Sequence, residues 1–133
     1  KHNWDKKNKS IDTVEDTQYL LTYKRSVYNN FKLSKLHAYK LEQLITENAG
    51  SSIILVQLPI KEQMYELQKN MIKNVFDDYI AALSIGNDNV FSLDLRENTN
   101  YEFSDINHLS MKGSFDLTQE ILNPLIEKII INN

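Results

Sequence analysis

There is no cysteine in these 133 residues. That excludes disulfides, thiolate nucleophiles and cysteine-held metal in one step. Histidine is scarce, with His2, His37 and His108 the whole supply. None sits in an H-x-H or H-x-x-x-H pair, so no zinc site is expected. Glycine occurs only three times, which leaves no glycine-rich loop to cradle a phosphate. No apolar run approaches the roughly 20 residues that span a bilayer, and no signal-peptide pattern starts at Lys1. The net charge is −3 with both signs dispersed. With no basic patch and no basic-aromatic interleaving, no nucleic-acid partner is expected.

What is present fits one domain with a modest core. Residues 1–31 read as a polar N-terminal linker or loosely packed segment, with Trp4 its early large apolar residue. Residues 32–133 carry the regular pattern. The polar opening K-H-N-W-D-K-K-N-K-S reads as the cut end of a longer protein, from which a targeting segment could have been lost. Residues 19–31 are ambiguous between helix and extended chain.

From Leu33 the period becomes helical. Leu33, Leu36, Leu41, Leu44 and Ile45 share one face, Ser34 is suited to a cap or first turn, and Gly50 suits a left-handed stop. Ile53–Leu58 is apolar apart from Gln57 and rich in β-branched residues. It reads as a strand buried on both faces, ended by Pro59. Residues 61–83 read as one helix, with Met64, Leu67, Met71, Val75, Tyr79 and Ala82 along its stripe. G-N-D-N at 86–89 is a turn, and Val90–Leu95 is a second strand. A loop over 97–110 precedes a final helix from Met111 toward Ile131, which Pro124 bends or restarts. The order α-β-α-β-loop-α predicts parallel strands layered with helices. Two strands are too few for such a sheet alone, so the missing strands belong to residues 1–31 or to sequence beyond this chain.

Ligands in open α/β sheets sit beyond the carboxyl ends of the strands. The 97–110 loop lies there, and it holds F-S-D-I-N-H-L-S-M-K-G at 103–113. An aspartate three residues before a histidine, across a turn, can accept a hydrogen bond from one ring nitrogen. The other nitrogen is then free as a general base. Asp105 and His108 are therefore the candidate catalytic residues. The competing reading is a polar loop with an incidental histidine. Ser110 suits the N-cap of the final helix. His37 reads as a packed histidine at the core edge, and the Asp77–Asp78 pair as a solvated helix face. Arg96 is a weak candidate contact for an anionic substrate. Asp94 is left open, facing a pocket or capping a loop.

D-I-N-H-L-S-M-K-G, after a strand and opening the last helix, resembles the D-x-x-H-L-x-x-x-G block near the C-terminus of the SGNH (GDSL-type) hydrolase superfamily. The strand I-I-L-V-Q-L-P-I is also similar to that family's proline-ended buried strand. The element order resembles that of its cell-envelope acyl-transfer members, those of lipoteichoic-acid D-alanylation and alginate acetylation, over roughly residues 31–130. The resemblance implies a partial flavodoxin-like three-layer sandwich, a fragment of a larger domain. It implies that Asp105 and His108 are the last two members of a Ser-His-Asp triad, that Leu109 packs inward and that Gly113 lets the last helix approach the sheet. It implies ester hydrolysis or O-acyl transfer on an acylated carbohydrate or cell-envelope polymer, with no cofactor and no metal. An extracytoplasmic bacterial location would follow. The partner would be the missing N-terminal part of the same protein or a membrane acyl-transfer protein.

The chain departs from that pattern in having no G-D-S nucleophile block and no oxyanion block; G-N-D at 86–88 is out of register and precedes a strand. Either the serine lies upstream of Lys1, or the fold has been kept and the activity lost. A non-catalytic α/β binding or interaction module is the alternative function.

Overall fold

Ile53–Gln57 forms β1 and Val90–Asp94 forms β2, and the two pair in parallel with Ile53 opposite Val90 and Gln57 opposite Asp94. The structure, a computed structural model, describes residues 14–131. Within them the fold is mixed α/β, with six α-helices and this two-stranded sheet. The helices are α1 (Val14–Tyr28), α2 (Lys35–Glu47), α3 (Glu62–Met71), α4 (Lys73–Gly86), α5 (Met111–Leu117) and α6 (Asn123–Ile131). Lys1, His2 and Trp4 lie outside the described residues.

The ambiguous stretch at 19–31 is helical as far as Tyr28. Leu20, Leu21 and Tyr28 pack with Ile60, Met64, Leu67 and Ile106 in one apolar cluster, which seats α1 on α3. Burial raises the Tyr28 phenol pKa, against the hydrogen bond that Gln68 donates to its oxygen. A second cluster joins Ile45, Ile80, Leu83 and Val90, with Leu41, Ile53 and Leu55 against it. It fixes α2 and α4 on the sheet face that carries Ile53 and Leu55. Tyr79 ties the two helices by donating to the Ala38 carbonyl at 3.1 Å.

Four sequence expectations need correction. The helix read over 61–83 breaks at Ile72, whose φ and ψ are −128° and −10°. No proline or glycine marks the break. Met64 and Leu67 belong to one cluster and Ile80 and Leu83 to the other, so the two halves face different neighbours. On α2 the buried face is narrower than its periodicity, because Leu36 and Leu44 are exposed and Ile45 is buried. Gly50 is not a left-handed stop, since no described residue has a positive φ. Asn48 ends α2 instead, its backbone N–H bonded to the Leu44 and Ile45 carbonyls and its side chain also donating to Leu44. His37 is exposed rather than packed at the core edge.

Pro124 restarts the final helix. Proline has no N–H to offer the carbonyl four residues back. The chain answers with a π turn over Thr118–Leu122, in which the Asn123 N–H reaches the Thr118 carbonyl, and α6 then begins.

Candidate active site

The loop after β2 is built around one buried residue. Ile106 is 1% exposed and packs with Ile60, Met64 and Leu67. Its carbonyl accepts the Lys61 N–H at 3.2 Å. Lys61 leads into α3 just beyond the carboxyl end of β1. The loop is therefore fastened where both strands end, as the sequence reading placed it. Phe103 and Leu109 bridge its two arms, the Ser104 N–H donates to the His108 carbonyl at 2.9 Å, and the Ser110 N–H donates to the Glu102 carbonyl at 2.9 Å.

Asp105 and His108 meet across this turn. The Asp105 Oδ1 accepts the N–H groups of Asn107 at 2.7 Å and His108 at 2.9 Å. Its Oδ2 lies 2.7 Å from His108 Nδ1. Burial alone would raise the Asp105 pKa, but the Asn107 N–H, the His108 ring and the His108 N–H outweigh it and hold the carboxyl below its ordinary value. An ionised carboxylate can only accept, so the proton of the contact sits on Nδ1. Nε2 is then the basic nitrogen. The His108 side chain is 72% exposed, and Asp105 is the one residue its ring bonds among those described.

Ser104 donates its hydroxyl to the carbonyls of His108 and Leu109, at 3.2 and 3.4 Å. It staples the loop and is not bonded to the imidazole. Ser110 is the N-cap of α5, accepting the Gly113 N–H at 3.0 Å. Leu109, expected inward, is half-buried. Gly113 does mark a close approach, but to the loop rather than the sheet. A Cβ there would lie 2.1 Å from the Glu102 carbonyl oxygen, inside any permitted contact. Glycine at 113 thus lets α5 lie against the arm that leads into Asp105.

Arg96 is not poised for an external anion. Its side chain is 6% exposed, with Nη2 at 2.6 Å from Asp94 and 2.7 Å from Asp77. Nε and the Arg96 backbone N–H both donate to Asp94 Oδ1, at 2.9 and 3.1 Å. The Asp94 bonds raise the guanidinium pKa, burial opposes them, and Asp77 adds to the rise. Asp94 is thereby the cap of its own turn, and Asp77 is a half-buried ion-pair partner of the buried Arg96 rather than part of a solvated face. Asp78 is exposed. The Tyr65 ring lies 5.7 Å from the guanidinium carbon. Its hydroxyl donates to Glu97 in a short hydrogen bond, the first of the causes that push its pKa up to about 12. This group pins α3 and α4 to the end of β2. The sequence held one signal for it, an aspartate inside an apolar strand two residues before an arginine.

No described helix is long and apolar enough to cross a membrane. Among the described residues no three His, Asp or Glu side chains gather as metal ligands would. Comparison with known protein families, with curated proteins and with solved structures finds no match for this chain.

Proposed function

We propose that this chain is the C-terminal part of an SGNH-like serine ester hydrolase or O-acyltransferase, supplying the catalytic aspartate and histidine to a serine outside these residues. The observation that carries the reading is the Asp105–His108 pair, 2.7 Å apart, with Nε2 directed away from its partner at an exposed position. In this reading Nε2 removes the proton of the serine hydroxyl as its oxygen attacks the acyl carbonyl carbon. The resulting imidazolium returns that proton to the leaving alcohol oxygen. Water or an acceptor hydroxyl then gives its proton to Nε2 and attacks the acyl-enzyme, and the serine is regenerated. Asp105 stays ionised, orients the ring and stabilises the imidazolium. The fold would be part of a flavodoxin-like three-layer sandwich. The substrate class is an acylated carbohydrate or cell-envelope polymer, and the setting is the bacterial cell envelope, beside the missing N-terminal part or a membrane acyl-transfer partner.

Binding without catalysis is the second reading. It is favoured by one observation, that no described hydroxyl reaches the imidazole. The two separate in an aryl-acetate assay. The longest natural form of the protein is expected to turn the ester over, and the 133-residue chain alone is not. No turnover by the longest form would overturn the enzyme reading. Turnover by the 133-residue chain alone, abolished in His108→Ala, would overturn the claim that the serine lies elsewhere.

A further inference from the structure

The expectation of dispersed charge with no basic patch fails over residues 17–41. This stretch carries Lys24, Arg25, Lys32, Lys35 and Lys40 and not one acidic residue. The chain as a whole stands at −3, so the rest of it is acidic on balance. Among the described residues no carboxylate pairs with any of these five cations. Elsewhere Lys69 is held by Glu66, Arg96 by Asp77 and Asp94, and Lys112 by Asp116. The positive field of residues 17–41 is therefore left for something outside the molecule.

Three of the five cations gather at the start of α2. Lys32 lies in the connection before it, and Lys35 and Lys40 are exposed on the helix itself. α2 turns Ala38, Leu41 and Ile45 inward, Leu41 and Ile45 joining one apolar cluster. At about 3.6 residues per turn, Leu36 then points outward, with Lys35 and Tyr39 to one side of it and Lys40 to the other. Leu36 and Tyr39 are 65% and 59% exposed, and Lys40 Nζ lies 5.6 Å from the centre of the Tyr39 ring. Single exposed apolar residues need no explanation. A leucine and a tyrosine framed by lysines that no carboxylate neutralises form a pattern. Lysine stems lie along apolar material while their ammonium heads stay wet. Tyrosine suits a boundary that is apolar at one end and wet at the other.

We propose that the start of α2, with Lys32 before it, rests on an anionic lipid bilayer surface. Leu36 and Tyr39 enter the headgroup region, and Lys32, Lys35 and Lys40 meet the lipid phosphates. Charge complementarity selects an anionic surface, toward which the acidic remainder of the chain would not turn. The exposed leucine and tyrosine select a bilayer over a soluble polyanion such as a nucleic acid, for which cations supply most of the binding. None of these residues belongs to the 97–110 loop, so contact with a bilayer does not depend on ester chemistry there.

The test is co-sedimentation of the 133-residue chain with two kinds of vesicle, phosphatidylcholine alone and phosphatidylcholine mixed with phosphatidylglycerol. Binding to the mixed vesicles is expected to be at least about 20-fold tighter, and to weaken as added salt screens the contact. Lys32→Gln with Lys35→Gln is expected to lower it by about 20-fold, roughly fivefold per charge. Leu36→Ser with Tyr39→Ser is expected to lower it by about 10-fold, through the apolar area no longer buried. Both double variants should keep the helical circular dichroism of the parent, because all four side chains are exposed. Equal binding to both kinds of vesicle, or parent-like binding by the Lys32 and Lys35 variant, would overturn the proposal. So would a loss of the same size in Lys69→Gln with Lys112→Gln, which marks net charge alone. Mixed-vesicle binding untouched by the Leu36 and Tyr39 changes would mark a partner recognised only by its charge, such as duplex DNA, and would also overturn it.

Discussion

Replacing His108 by alanine in the longest natural form is expected to lower ester turnover by about 10²–10⁴-fold, the contribution of a positioned general base. The fold should not change with it, because the imidazole is largely exposed and its one side-chain partner is Asp105. The anchors of the loop are elsewhere: the buried Ile106, the Lys61 bond to its carbonyl, and the Phe103–Leu109 bridge. Asp105→Asn tests the second role. An amide in place of the carboxylate no longer fixes the proton on Nδ1, so turnover should fall by a comparable factor while the loop keeps its shape. The checks are kcat on an aryl ester and the melting temperature of each variant. Unchanged turnover in His108→Ala would return the loop to a purely structural or binding role.

Replacing Arg96 by leucine is expected to destabilise the protein by about 3 kcal/mol, the low end for removing one partner of a buried ion pair. The loss comes mainly from Asp77, whose side chain is 20% exposed and keeps a buried Oδ1 without a bond. Asp94 is more open and can turn to water. The size matters because a domain of this kind holds only about 5–15 kcal/mol in total. Urea unfolding checks it, and the double variant Arg96→Leu with Asp77→Leu should recover a large part of the loss, since no uncompensated charge is then buried. A cost below about 1 kcal/mol for the single variant would mean that Asp77 finds another partner or is reached by water.

The parts of this fold that could be read from sequence are those whose signal is local. The run I-I-L-V-Q specified β1 because continuous β-branched apolar residues suit a strand, although all five are half-buried here rather than buried on both faces. Ser34 and Ser110 were readable as caps because capping is chemistry within one turn. D-x-x-H was readable as a pair for the same reason, its partners lying three residues apart. What stayed hidden depends on distant neighbours. The break at Ile72 follows from two apolar clusters that pull on opposite ends of one periodic stripe. Arg96 looked available because its partner Asp77 lies 19 residues away on another element. Ile106, which anchors the loop, looked like any apolar residue between two polar ones. The Gly50 stop failed because Asn48 capped α2 first, with its own side chain.

The central claim is that His108 serves a serine lying outside these 133 residues. The most direct measurement is labelling of the longest natural form with a fluorophosphonate, followed by mapping of the modified residue by mass spectrometry. The expected result is one modified serine beyond the chain described, with labelling strongly slowed in His108→Ala. No modified serine, or labelling indifferent to His108, would contradict it.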